Sequence, residues 1–364
     1  MKDIPILIPS YEPDERLIEL LRSFKRNGVE HVVLVNDGSD ETYNAIFEQA
    51  KIILDDINGV LIAHTKNEGK GKALKTGFEY LLNTNKNIVG VITADSDGQH
   101  SVKSIKAVQN AMLEYPHNLI LGVRKFDSEE IPWKSRFGNL ATEKIFKYLT
   151  GTHISDTQTG LRGIPKEIMK NLLNIKSNRF EFEMEMLLQC IGRYEISEIP
   201  IDTIYDSTEN HQTHFRPLID SFKIYKILIN RFIKYVLSSL SSCLVDLIIF
   251  SLMCSILKEK LPLYYIYVST IVARIVSAIY NYFCNYKIVF QSSETVRKSA
   301  TKYLSLAIIQ MLVSAFLTNS IVNAFPRIYE TVIKALVDTF LFLINYYVQN
   351  KYIFKKKKKI EDKV

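Results

Sequence analysis

Two aspartates spaced i, i+2, Asp95 and Asp97, end the apolar run IVGVITA at residues 88–94, and Gly98, Gln99 and His100 follow them. A run rich in Val and Ile reads as a buried central strand. At the carboxyl end of a parallel strand the backbone opens into a crevice where ligands sit. Carboxylates there suit Mg²⁺ or Mn²⁺, held by one or two side chains with substrate phosphates completing the shell. The same residues also suit a plain solvated turn, since Asp and Gly favour turns. The surrounding elements decide between the two.

Residues 4–8 read as a short strand broken at Pro9, with Tyr11, Glu12 and Pro13 behind it. Residues 16–24 are helical, with Leu17, Leu20, Leu21 and Phe24 on one face. A second strand, 31–35, ends in Asn36-Asp37-Gly38-Ser39; 42–54 is helical, and 60–64 is a third strand. Asn67-Glu68-Gly69-Lys70-Gly71-Lys72-Ala73 then opens a helix running through Tyr80. This β-α-β-α-β order predicts an α/β domain with a parallel sheet covered by helices on both faces. Asp37, the 67–72 loop and Asp95/Asp97 meet on one rim of such a sheet. Asp37 can accept hydrogen bonds from a base or ribose. The glycines beside Lys70 and Lys72 let backbone approach phosphate, and a helix N-terminus favours anions. A plain turn is the alternative for this loop too, and the Walker spacing GxxxxGK[ST] is absent.

Pro9-Ser10-Tyr11, Asn36-Asp37-Gly38-Ser39, the 67–72 loop and Asp95-Ser96-Asp97-Gly98-Gln99-His100 resemble family 2 glycosyltransferases of the dolichyl- or polyprenyl-phosphate hexose synthase type. Gly122-Val123-Arg124, the SRFGN run at 135–139, the stretch from Asp156 to Arg162, and Arg179-Phe180-Glu181-Phe182-Glu183 extend the likeness over about residues 4–217. The resemblance implies a GT-A (Rossmann-like) fold and a nucleotide sugar contacted by Pro9, Tyr11, Asp37, Lys70, Lys72, Asp95 and Ser96. It further implies Mg²⁺ or Mn²⁺ on Asp95, Asp97 and Gln99, and transfer to a lipid phosphate with inversion. Two departures stand out: the glutamate of PxYNE is missing at Pro13, and the paired aspartates of DDGS become Asn36-Asp37.

A sugar hydroxyl as acceptor needs a general base. A lipid monophosphate is already largely ionised near neutral pH, by analogy with phosphoserine and its second pKa of about 6. It needs placement and charge screening, which arginines supply bidentately. Arg124 and Arg136 are the candidates for that phosphate, with Arg162 and Arg179 behind them; Asp97, Arg124 and Arg136 form the expected catalytic set. Processive polysaccharide synthases of this fold carry QxxRW. The one tryptophan here, Trp133, follows Ile131-Pro132, so transfer of a single sugar is the expectation.

The 364 residues include 46 Lys and Arg against 39 Asp and Glu, a formal net charge of +7, with five lysines at 355–359. Hydropathy divides the chain near residue 230. The apolar run before Pro9 is too short for a signal peptide, so the first domain is expected in the cytoplasm. Leu218, Phe222, Tyr225, Ile229 and Phe232 recur at spacings of four and three, a stripe suited to a helix lying in the membrane interface. Four apolar segments follow at 235–257, 263–284, 303–325 and 331–353, each long enough to span a bilayer. Basic residues flanking them place both ends of the membrane domain, and the enzyme, in the cytoplasm. Cys190, Cys243, Cys254 and Cys284 lack metal-ligand spacing and read as reduced packing residues.

The membrane half repeats internally: residues 281–290 align with 345–354, Lys234-Tyr235 with Lys302-Tyr303, and Leu244-Val245 with Leu312-Val313. This half resembles the GtrA-like four-helix family. The repeat sets Arg274 and Asp338 at equivalent positions, predicting that an approximate two-fold brings them together. The expected domains are thus 1–217, a GT-A catalytic domain; 218–234, an interfacial helix; 235–354, four transmembrane helices; and 355–364, a basic tail. The expected partners are a nucleotide sugar such as UDP-glucose, polyprenyl (undecaprenyl) phosphate and the membrane. No nucleic acid is expected, and a homo-oligomer is compatible with the sequence. The competing reading is a lipid-linked sugar transporter whose first domain only binds nucleotide sugar in a regulatory role.

Overall fold

The computed structural model describes residues 3–124, 133–202, 217–325 and 327–354, with side chains described throughout except at 133–139 and 217–221. The chain divides into two compact units. One is built from Met1–Phe146 and His153–Ile227, the other from Lys147–Thr152 and Leu228–Lys357.

In the first unit the expected alternation appears. The strands are β1 (Ile6–Ser10), β2 (Val32–Asn36), β3 (Val60–Ala63) and β4 (Gly90–Thr93). The helices between them are α1 (Glu15–Arg26), α2 (Asn44–Asp56) and α3 (Lys70–Thr84). Asp14 starts α1 by accepting the Arg16 N–H, and Ser101 starts α4 (Val102–Glu114) by accepting the Ser104 N–H. Then come β5 (Leu119–Arg124), α5 (Trp133–Thr150), β6 (Arg162–Pro165), α6 (Lys166–Leu172), α7 (Glu181–Cys190) and β7 (Ile196–Ile201).

The sheet runs β3-β2-β1-β4-β6-β5-β7. It is mixed rather than purely parallel, because β6 lies between β4 and β5 and is antiparallel to both. Its sequence, RGIP, is too short to show alternation. Its place rests on tertiary contacts instead: Arg162 stands opposite Thr93, and Gly163 opposite Ile92. One core layer joins Ile6, Ile8, Leu34 and Ile92 of the sheet to Leu17, Leu21, Phe24, Phe47 and Ile105 of the helices. Cys190 is buried, and that burial pushes its thiol up to about 12, as fits an inert packing residue.

Four further helices follow: α8 (Pro217–Leu257), most of which belongs to the second unit, α9 (Tyr265–Cys284), α10 (Val296–Ala324) and α11 (Glu330–Val348). All four are long and apolar enough to cross a membrane. The segments expected as an interfacial helix and a first span are one continuous helix of 41 residues. No Gly or Pro interrupts residues 218–257, so nothing in the backbone breaks it.

The repeat is visible in the backbone. Helices α9 and α11 each run into a five-residue π-helical turn, Asn285–Val289 and Gln349–Ile353, at aligned positions. Equivalent residues meet: Asn285 Nδ2 donates to Gln349 Oε1 at 3.1 Å, and the Phe290 and Phe354 rings stack at 5.1 Å.

The expected Arg274–Asp338 pairing is not formed. Arg274 lies 3.8 Å from Asp246, which accepts the Ser277 hydroxyl at 2.9 Å, while Asp338 accepts Ser314 at 2.5 Å and Lys334 at 2.8 Å. The alignment itself gives the reason. Asp246 is equivalent to Ser314, and Arg274 to Asp338, so each hairpin already carries an acid with a polar partner on its neighbouring helix. With those partners in place, neither charge needs a contact across the repeat.

Asn285 is fully buried, accepting from Ser238 Oγ at 2.9 Å and donating to Asn281 Oδ1 at 2.8 Å as well as to Gln349. Asn285→Leu strands those partners and is expected to destabilise the helical unit by about 2 kcal/mol. A thermal-unfolding scan of the detergent-solubilised chain, with Ile271→Leu on the exposed face as reference, measures this. Equal stability of the two variants would remove Asn285 from the set of structural ties.

Candidate functional site

The carboxyl ends of β1, β2 and β3 stand level, since Ser10 pairs with Asn36 and Asn36 with Ala63. The chain leaves this rim as Tyr11, Asp37 and His64, while β4 leaves as Ala94 and Asp95. The predicted convergence of three strand ends is therefore met, all within the first unit.

Asp37 takes a different part from the one expected. It is 2 % exposed, and its carboxylate accepts the Glu68 N–H at 3.0 Å, the Gly69 N–H at 2.8 Å and His64 Nδ1 at 2.9 Å. His64 Nε2 meets Thr76 Oγ1 at 2.9 Å. Asp37 thus fastens the 64–69 loop to the start of α3, and that fastening aims Lys70. Gly69 is required there: its φ is 103°, and a Cβ would meet the Asn178 carbonyl at 2.5 Å. Lys75, which sequence reasoning passed over, braces the far side. Its ammonium donates to Ile175 O at 2.9 Å, Ser177 O at 3.1 Å and Asn178 Oδ1 at 2.5 Å. The Lys72 N–H donates to Asn178 O at 2.9 Å. The start of α3 and the 175–183 segment are therefore locked together.

That lock brings Lys70 between two acids. Its ammonium lies 2.7 Å from Asp95 Oδ1 and 3.0 Å from Glu183 Oε2, a residue the sequence reading had noted without assigning it a role. His100 Nε2 stands 3.7 Å from the other Asp95 oxygen. Burial disfavours the Asp95 charge, but Lys70 and then His100 outweigh it and hold the carboxyl well below its ordinary range. Burial likewise opposes the Lys70 charge, and Asp95 and Glu183 override it, raising the ammonium's pKa. Asp97 goes the other way, raised first by burial and then by the charge of Asp95. Among the described residues its carboxylate accepts the Gln99 N–H at 3.1 Å.

The Asp95 charge thus bears directly on Asp97. Among the described residues no group of three His, Cys, Asp or Glu side chains encloses a cation. The donor set of Asp95, Asp97 and Gln99 fits a hard divalent ion whose remaining ligands come from a diphosphate. Ser96 lies between the two acids, partly exposed, and Pro9 is buried within β1 below Tyr11.

The arginines separate. Arg162 is wholly buried and spends its guanidinium on the carbonyls of Thr159 at 2.8 Å, Glu183 at 2.8 Å and Thr157 at 3.3 Å. It ties the 156–161 loop to α7 and presents no donor to an incoming phosphate, which corrects the expectation for it. Arg124 grips fully buried Asp156 bidentately, at 2.7 and 3.0 Å, and remains partly exposed. Arg179 is exposed beside Gly69. Arg136 belongs to α5, but its side chain lies outside the described residues.

A Rossmann-like sheet with an acidic pair beyond β4 and a basic helix N-terminus facing it defines the GT-A class of nucleotide-sugar enzymes. Residues 6–173 match Glycosyl transferase family 2, and residues 234–354 match the GtrA/DPMS transmembrane domain. The chain therefore joins a family 2 glycosyltransferase domain to a GtrA/DPMS transmembrane domain, and it is a multi-pass membrane protein.

Its relatives include the uncharacterized protein MJ1222 of Methanocaldococcus jannaschii, 29 % identical over 63 % of this chain and 92 % of that one. A UDP-N-acetylglucosamine–dolichyl-phosphate N-acetylglucosaminyltransferase of Methanococcus voltae is 27 % identical over 62 % of this chain and 94 % of its own. A dolichyl-phosphate hexose transferase of Haloferax volcanii is 22 % identical over 55 % of this chain and 82 % of its own.

Proposed function

We propose that this protein transfers one hexose from a UDP-sugar to a polyprenyl phosphate, with inversion, making a lipid-linked sugar at the membrane. The observation that carries the reading is the ion-paired rim, where Asp95 and Asp97 face Lys70 at the start of α3. The names of the M. voltae and H. volcanii relatives support a polyprenyl phosphate acceptor, dolichyl or undecaprenyl, and the former supports a uridine donor.

Asp95, Asp97 and Gln99 would hold Mg²⁺ or Mn²⁺, which when bound screens the diphosphate and stabilises the departing nucleotide's charge. Lys70, Lys72 and the positive end of the α3 dipole offer positive potential to the same diphosphate. Tyr11, which leaves the same rim at the end of β1, would line its nucleoside side. Asp37 holds the loop rather than the base. Arg124, Arg136 and Arg179 are the cations for the acceptor phosphate, which is ionised already and needs no general base. Direct attack by that phosphate on the anomeric carbon, opposite the leaving diphosphate, inverts the configuration. The basic flanks of the spans support a catalytic domain and C-terminus in the cytoplasm, where nucleotide sugars are made.

The test is turnover by the purified full chain in lipid nanodiscs with dolichyl or undecaprenyl phosphate. UDP-glucose, UDP-N-acetylglucosamine, UDP-galactose and GDP-mannose are supplied in turn with Mg²⁺ or Mn²⁺. The expected result is one lipid-linked hexose of inverted configuration, read by NMR of the product. Absence of donor consumption across the panel would overturn the proposal and leave the transporter reading in its place.

A further inference from the structure

Lys70 stands on the carboxylate that a metal would need. Its ammonium, 2.7 Å from Asp95 Oδ1, occupies the side of that carboxylate facing the diphosphate loop, while Glu183 offers a second seat at 3.0 Å. The backbone around it is braced: Gly69 is held by Asp37, and the Lys72 N–H by the Asn178 carbonyl. Gly160 packs so closely on Asp95 that a Cβ there would overlap the carboxylate, which leaves the aspartate little room to turn aside. The lysine is the long, flexible member of the cluster, so it is the member able to move.

We propose that Lys70 is a tethered cation that holds Asp95 until the nucleotide sugar arrives, then withdraws toward Glu183 and the diphosphate, so that metal and donor bind as one unit. The inference rests on the proposed metal site at Asp95 and Asp97. It follows from charge arithmetic: two acids already share one lysine, and a divalent ion entering alone must push that lysine onto Glu183 alone. A diphosphate arriving with the ion supplies a new partner for the ammonium. Lys70 is thus a positioning residue that suppresses metal binding to the empty enzyme and promotes it with donor present.

The experiment measures Mn²⁺ affinity of the full chain by electron paramagnetic resonance, with and without UDP. Lys70→Met is expected to tighten Mn²⁺ binding without UDP by about tenfold, and to weaken it with UDP present. Glu183→Gln, which leaves Lys70 to Asp95 alone, is expected to weaken Mn²⁺ binding without UDP; in the Lys70→Met background the same change is expected to have a much smaller effect. A general loss of packing would move both conditions in one direction. Mn²⁺ affinity in Lys70→Met that is unchanged or weaker without UDP would overturn the proposal. So would an equal effect of Glu183→Gln in both backgrounds. Asp97→Asn separates the two ideas. If it abolishes Mn²⁺ binding while Lys70→Met has no effect, the lysine proposal alone fails. If it leaves Mn²⁺ binding intact, the metal site itself is misassigned and the lysine proposal falls with it.

Discussion

Asp97→Asn is expected to lower sugar transfer by about 10³-fold while leaving the fold untouched. The size follows from losing a ligand charge on an ion that stabilises the leaving diphosphate, worth several kcal/mol at about 1.4 kcal/mol per tenfold in rate. The sign on stability is distinctive. Burial and then neighbouring Asp95 already disfavour the Asp97 charge, and the side chain gains just the Gln99 N–H among the described residues. Neutralising it therefore costs the fold nothing and can relieve repulsion. The expected melting temperature is equal to that of the parent or slightly higher, with transfer lost. Activity within tenfold of the parent in Mg²⁺ or Mn²⁺ would reject Asp97 as a metal ligand. Lost activity with a markedly lower melting temperature would assign it a structural role instead.

A second large effect is expected at Arg124, for a different reason. Asp156 is fully buried, and its charge is matched by the bidentate Arg124 guanidinium, with the Gln158 N–H as a further donor at 3.1 Å. Arg124→Ala leaves that carboxylate without its counter-ion, at a cost of about 3 kcal/mol. For a unit of this size that lowers the melting temperature by roughly 6 to 12 °C. Arg179→Ala, on an exposed side chain, is expected to leave the melting temperature unchanged and to raise the KM for lipid phosphate more than for the UDP-sugar. Adding Asp156→Asn to Arg124→Ala is expected to recover much of the stability, because the stranded charge is gone. An Arg124→Ala protein as stable as the parent would show that the Asp156 pair is not a structural tie. A rise in donor KM rather than lipid KM in Arg179→Ala would move Arg179 to the diphosphate.

Sequence by itself determined the order of elements in the catalytic half and the meeting of three strand ends. Val- and Ile-rich runs ending in Asp or Gly punctuation leave few other readings, and short connections force their carboxyl ends to one rim. It also located the four spans and their internal repeat, since a 20-residue apolar stretch and a matched motif such as NYFCNYKIVF against NYYVQNKYIF are local facts. What it left open was the use of individual polar residues. Asp37 reads as a base ligand until His64, Glu68 and Gly69, brought in by the third strand, claim its oxygens. Arg162 and Arg124 look alike in a motif, yet one is sealed among carbonyls and the other grips a buried acid. Glu183 lies 113 positions after Lys70, and only the packing of α7 on α3 makes them partners. In the membrane half, Arg274 and Asp338 were found from sequence, but their partners proved to be Asp246, Ser314 and Lys334, helix neighbours rather than repeat mates. Charge and hydrogen-bond capacity are written in the residue; which partner satisfies them depends on distances that only the folded chain sets, because these short-range interactions act over a few ångströms.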